Sequence, residues 1–115
     1  KYSGVKNCAV ISGVTQYRTK SYNDFLGINK IDYIHHNQDI QDRIEQLIED
    51  IKLNPNDETN KNMCDKIIVE IKREYQVDSI ILGCTEFSCI KIKQYDFPIL
   101  DSSLELAQYI SQLNN

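Results

Sequence analysis

Apolar residues in this chain follow two patterns, short unbroken runs and longer stretches with helical spacing. Residues 8–11, Cys-Ala-Val-Ile, form a run with no polar face, closed by Ser12 and bounded by Gly4 and Gly13. Such a run predicts a strand buried on both sides, over Cys8 to Ser12. Ile31 to His36 and Ser79 to Leu82 predict two further strands, and the segment around Pro98-Ile99-Leu100 a short fourth. Between the strands the period changes. Ile40, Ile44, Leu47, Ile48 and Ile51 recur every three or four residues, predicting an amphipathic helix over Asp39 to Lys52. Met63, Ile67, Ile68, Ile71 and Tyr75 predict a second helix on one shared face, after a polar loop from Leu53 to Asn60. Tyr17 to Leu26 reads as an earlier helix stopped by Gly27. Near the end, Ser102 followed three residues later by Glu105 is a capping box for a helix over Leu104 to Leu113.

The resulting order, β-α-β-α-α-β-turn-β-α, implies the α/β class. We expect a single lobe with a mostly parallel central sheet of about four strands flanked by helices. At 115 residues the chain suits one domain with one core. Charge then narrows the partners. Thirteen basic residues against seventeen acidic give a net charge of -4, and the basic ones are scattered, which is not a nucleic-acid footprint. No apolar run approaches the ~20 residues that span a bilayer, and no signal-peptide pattern opens the chain. The expectation is therefore a cytoplasmic protein with neither a nucleic-acid nor a membrane partner. Its first residue is Lys1 rather than methionine, so we expect the chain to be cut, processed or trimmed from a longer one, unless a tag was removed.

Candidate chemistry gathers where strands end, because functional groups in parallel sheets collect at the carboxyl edge. One such end carries Ser12, Thr15, Thr19 and Ser21; the other is Gly83-Cys84-Thr85-Glu86. Gly83 permits a tight turn and close backbone approach. Cys84 then sits just past the strand, beside an expected helix N-terminus that would favour its thiolate. A buried structural cysteine is the competing reading, weakened by the polar Thr85 and Glu86 beside it. Cys8 and Cys64 fall inside predicted elements and read as core. Cys84 and Cys89 lack the C-x-x-C spacing of a redox pair, and all four cysteines are expected as free thiols. His35 and His36 lack enough neighbouring ligands for a metal site.

The segments VDSIILGCTEFSCI and FPILDSSLELA together resemble the second-cysteine region of the aspartate/glutamate racemase family, nearest its aspartate-racemase branch. KNCAVISGVTQYRTKSY is similar to the segment that opens the second half of such enzymes, and IQDRIEQLIEDIK to their Gln-x-x-Val-x-x-x-Ile helix ending in lysine. The resemblance covers essentially the whole chain and is most specific at Gly-Cys-Thr-Glu. It implies a cofactor-independent amino-acid racemase built of two α/β lobes, of which residues 1–115 match the C-terminal one. Each lobe of the family supplies one cysteine, and the two face opposite sides of the α-carbon. One thiolate removes the proton while the other cysteine's thiol returns it.

Position by position, the resemblance implies that Cys84 is the catalytic cysteine, and that Thr85, Glu86, Lys52 and Thr15 bind the substrate. That substrate would be a small acidic amino acid, aspartate or glutamate, and neither a cofactor nor a metal is implied. Glu86 stands where dedicated glutamate racemases have histidine. Arg18 stands where the family's first turn carries a serine, and the first-half Cys-Asn-Thr segment is absent. An isolated half is therefore expected to be inactive or weak. The alternative is a non-catalytic half-racemase acting as a binding or interaction module; a thiol redox or flavodoxin-like protein is a third reading. Residues 98–115 are expected to pack on a missing first lobe or a partner chain, leaving Ile99, Leu100 and Leu104 exposed and favouring self-association.

Overall fold

The computed structural model describes residues 5–101. Its strands are β1 (Asn7–Ile11), β2 (Asp32–Ile34), β3 (Ile80–Leu82) and β4 (Ile99–Asp101), in the sheet order β2-β1-β3-β4. Every pairing is parallel. Parallel pairing explains the unbroken apolar runs, since crossover connections put cover on both faces of the sheet.

Alternation along the strands sorts the core into two layers. Ala9 and Ile11 of β1 and Ile80 and Leu82 of β3 face α3 (Gln38–Leu53) and α4 (Glu58–Tyr75), where they meet Ile44, Ile67 and Ile71. Cys8, Val10, Ile81 and Leu100 face the other way, onto Leu26 and Ile31. The two long helices are held at both ends by local chemistry. The Asn37 side chain accepts from the Ile40 N–H at 2.9 Å to open α3, and Asp57 accepts from the Thr59 N–H at 3.0 Å to open α4. Gln76, left-handed at φ 53°, closes α4.

Three expectations are corrected here. The single helix over Tyr17 to Leu26 is two short ones, α1 (Val14–Thr19) and α2 (Asn23–Ile28). Lys20 breaks them apart in the left-handed region, at φ 53° and ψ 46°. The cause is packing in two directions. Tyr17 reaches back to donate to the His36 carbonyl, while Leu26 fills the opposite sheet face, which one straight helix does not serve. Gly27 consequently lies inside α2, and the left-handed residue after that helix is Lys30.

The second correction concerns α4, which starts at Glu58, inside the expected loop, because Asp57 caps it. Its buried stripe runs Asn60, Cys64, Ile67, Ile68 and Ile71, so Cys64 takes the inward position expected of Met63, which is exposed. The third is β4. Leu100 is only 4 % exposed and Ile99 is half-buried against the α3–α4 core, because β4 pairs with β3 on this chain's own sheet. The expected helix with its Ser102 cap, and Leu104, lie outside the described residues.

The strand order positions the site. From β1 the chain goes one way to β2 and returns on the other side to β3, so β1 and β3 are neighbours whose connections diverge. At such a switch point the carboxyl ends of the strands border a crevice. Ser12-Gly13 and Gly83-Cys84 are the two segments that leave the sheet there.

Candidate active site at the β1–β3 switch

Gly83 brings the two strand ends together. Its N–H donates to the Ile11 carbonyl at 2.8 Å. A Cβ at this position would stand 3.2 Å from the Ser12 Cβ and 3.3 Å from both Val10 Cγ1 and the Tyr22 hydroxyl. The glycine is thus required by close approach rather than by an unusual φ.

Cys84 follows in extended conformation and heads a 3-10 turn, Thr85–Cys89, in place of the expected helix N-terminus. Phe87, buried at 2 % exposure, pins that turn to the core. The half-buried Cys84 thiol donates to Glu86 Oε1 at 2.6 Å. Burial first, and then this hydrogen bond, push the thiol above its ordinary value; the Glu86 backbone N–H opposes them, and the Lys52 ammonium does so more weakly. The same hydrogen bond holds the Glu86 carboxyl below the usual carboxylate range. The expected backbone N–H does favour the thiolate, but burial and the carboxylate against the sulfur outweigh it, so the net environment favours the thiol.

Lys52 lies in the last turn of α3, 3.4 Å from Glu49 Oε2 and largely solvated. Its charge acts on both Cys84 and Glu86, so these three share one electrostatic neighbourhood. Thr85 is exposed beside Cys84, its carbonyl accepting from the Ser88 hydroxyl. Thr15 is exposed in the first turn of α1, at the neighbouring strand end. Thr19 donates its hydroxyl to the Thr15 carbonyl at 2.8 Å, which commits that oxygen to the helix. Ser12 is buried against Gly83, whereas Ser21 and Arg18 face solvent.

The remaining thiols divide as expected. Cys8 and Cys64 are buried, and burial pushes each up to about 12. Cys89 is exposed, and none of the four is in a disulfide. A concavity of about 660 Å³ lies along α4, lined by Arg43, Asp65, Lys66, Glu70, Arg73 and Lys93 among others, and shares no residue with the Cys84 site. Two of its carboxylates are engaged, Glu70 by both Arg43 nitrogens and Asp65 by the Tyr95 hydroxyl.

Sequence reasoning missed a buried polar chain behind the β1 edge. Gln41, fully buried in α3, donates to the Ser12 carbonyl at 3.0 Å and to Glu45 Oε2 at 3.0 Å, and its Oε1 faces His36 Nε2 at 2.8 Å. The signal was available: Gln41 stands three residues before Ile44 and seven before Ile48, on the face that should be apolar.

No protein-family model matches this chain, and no curated protein does. Solved structures do. A Picrophilus torridus aspartate racemase is 26% identical, with a TM-score of 0.68 over 96% of this chain and 46% of its own. A Yersinia pestis protein assigned as an Asp/Glu racemase gives a TM-score of 0.75 at 19% identity, over 95% of this chain and 48% of its own. An aspartate racemase homologue from Pyrococcus horikoshii OT3 gives 0.69 at 19% identity, over 97% and 50%. The chain spans about half the length of each. It shares, along nearly its whole length, the fold of one half of these Asp/Glu racemase structures.

Proposed function

We propose that this chain is the C-terminal, Cys84-bearing half of a racemase acting on a small acidic amino acid, aspartate or glutamate, without a cofactor. The observation that carries the reading is the thiol of Cys84 at the sheet's carboxyl edge, hydrogen-bonded to Glu86, in a fold matching half of an aspartate racemase. An α-proton of an amino acid is weakly acidic, and inversion needs a donor and an acceptor on opposite faces. Burial and Glu86 keep Cys84 protonated, which suits the face that delivers the proton. Delivery moves that proton from Sγ to the α-carbanion and leaves a thiolate. Abstraction from the other face falls to a second base, which the family resemblance places in the other half of a two-lobed enzyme. Lys52, Thr85 and Thr15 are the groups proposed to hold the substrate carboxylates, with Glu86 bordering them.

The test is exchange in deuterated water. With the first lobe of such an enzyme added, the chain is expected to catalyse α-deuterium incorporation into aspartate or glutamate, with Cys84→Ala reduced to background. No exchange from either enantiomer of both amino acids, even with that lobe added, would overturn catalysis and leave the alternative, a half-racemase that binds without turning over. That alternative predicts aspartate protecting Cys84 from alkylation with no exchange.

A further inference from the structure

Behind the carboxyl end of β1, His36 is 1 % exposed and its Nδ1 is the one buried side-chain nitrogen or oxygen without a hydrogen-bond partner among the described residues. Its other nitrogen is committed. Gln41 already donates through its Nε2 to Ser12 and Glu45, so its Oε1 is the acceptor and His36 Nε2 is the donor. This fixes the neutral Nε2–H tautomer, with a bare lone pair on Nδ1. From His36 the chain of contacts runs to Gln41, from Gln41 to the Ser12 carbonyl, and from Ser12 across to Gly83, whose missing Cβ lets the two strand ends touch. Cys84 is the next residue. Tyr17 closes the network by donating to the His36 carbonyl at 2.6 Å.

We propose that His36 is a positioning residue for the Cys84 edge, acting through Gln41 on Ser12, and that protonating it in mildly acid solution releases that edge. A proton on Nδ1 creates a buried cation whose new N–H has no acceptor, so the ring must turn or leave, and Gln41 loses the group that orients it. The surroundings offer little compensation. His35 on the same segment stacks on Tyr17 and adds charge of the same sign when it protonates. Lys20 at the end of α1 stands near His35. The α3 acids nearby are Glu45, engaged by Gln41, and Asp42, whose side chain accepts from Gln38; both act on Tyr17, the ring tilted against His36. From α4 comes Tyr75, whose hydroxyl accepts from the Asn37 N–H.

Burial holds His36 below its ordinary value of 6.5, with the His35 charge adding to the effect and the Gln41 hydrogen bond opposing it. The folded state therefore binds fewer protons than the unfolded chain. Stability from this group is complete above about pH 6.5 and declines as the pH falls below it, before ordinary carboxylates titrate near ~4.

The significance for catalysis rests on the proposed role of Cys84, but the test does not. Site-resolved alkylation of Cys84 by iodoacetamide is followed by mass spectrometry in a Cys89→Ser chain from pH 8 to 5. Each rate is divided by the thiolate fraction, and circular dichroism at each pH monitors retention of the fold. The normalised rate is expected to rise at least threefold as the pH falls below the ordinary imidazole value of 6.5, with the fold intact. His36→Gln, which keeps a donor for Gln41 and does not titrate, should abolish that rise, and His35→Gln should keep it. Long-range nitrogen NMR of the unsubstituted chain should show the Nε2–H tautomer at pH 7.5. A rise that persists in His36→Gln, a flat wild-type profile, or the Nδ1–H tautomer would each overturn the proposal. If His36→Gln fails to fold, the tautomer and the wild-type profile still decide it.

Discussion

The two edges of the sheet use similar side chains to opposite ends. At the amino edge, Asp78 accepts from the Lys6 and Asn7 N–H groups at 2.8 and 3.2 Å, while Asn7 Oδ1 accepts from the Asp78 N–H at 2.7 Å. Ser79 donates to the Asn7 carbonyl, and its own carbonyl takes the Ala9 N–H. Asp78, Asn7 and Ser79 each bond backbone there, and β1 is clasped to β3. At the carboxyl edge the pairing is incomplete. A thiol faces a carboxylate, a buried imidazole keeps a bare nitrogen, and Lys52, Thr15 and Thr85 face solvent. One edge spends its polar groups on folding; the other holds them ready for something else.

The largest expected effect comes from joining the two roles at one position. Gly83→Ala forces a methyl to within 3.2 Å of the Ser12 Cβ. Overpacking of this kind costs about 1–3 kcal/mol. Urea unfolding should show that loss, and Cys84 alkylation should change several-fold in the same variant, because the methyl pushes the β1 and β3 ends apart. A stable Gly83→Ala chain with unchanged Cys84 reactivity would show that the contact does not position the thiol.

Asp78→Ala separates the roles instead. Two backbone N–H groups lose their acceptor, at a cost of about 1–2 kcal/mol given their partial exposure. Stability should fall by that amount while the Cys84 alkylation rate under native conditions stays within error. A reactivity change at Cys84 would mean that the two edges are coupled through the strands.

How much of this contrast is legible in the sequence depends on the range of the forces involved. The run Ile80-Ile81-Leu82 ending in Gly83 announces both a buried strand and a close approach, because burial on two faces and a missing Cβ leave marks at single positions. The α3 period survives for the same reason, as its apolar face is built from neighbours three and four apart. The break at Lys20 is not legible. No local residue demands it; it follows from Tyr17 and Leu26 being drawn to different layers. Nor does the sequence show that Cys84 rests as a thiol. Its spacing suggested a helix N-terminus, and only the folded turn places Glu86 Oε1 against the sulfur. Gln41 lies between these cases: a polar residue at a core position is visible in the pattern, but its partners 29 residues back and 5 residues back are not.

Glu86→Gln tests the unspent side of the comparison more gently. Desolvation raises the Cys84 thiol first, and the Glu86 hydrogen bond and charge add to it. Removing the charge should therefore lower the thiol toward its ordinary value and speed alkylation at pH 8 by about threefold. Global stability should change by less than about 0.5 kcal/mol, as for most surface positions. A slower reaction would mean that Glu86 assists ionisation rather than opposing it.

The smallest effect belongs to Lys52, and its value lies in what it separates. As a solvated cation it only mildly favours the Cys84 thiolate, so Lys52→Gln should slow alkylation by less than about twofold at low salt. Near 1 M salt, where the screening length is ~3 Å, that difference should vanish. A substrate-binding role predicts something larger and differently placed. If Lys52 holds a carboxylate of aspartate, the substitution should raise the aspartate concentration needed to protect Cys84 by roughly tenfold, the loss of one charge-assisted contact of about 1.5 kcal/mol. The free-chain rate and the protection curve thus report on two different jobs of one side chain. A change in the first without the second would leave Lys52 as a helix-terminal cation, and would move the carboxylate site toward Thr15 and Thr85.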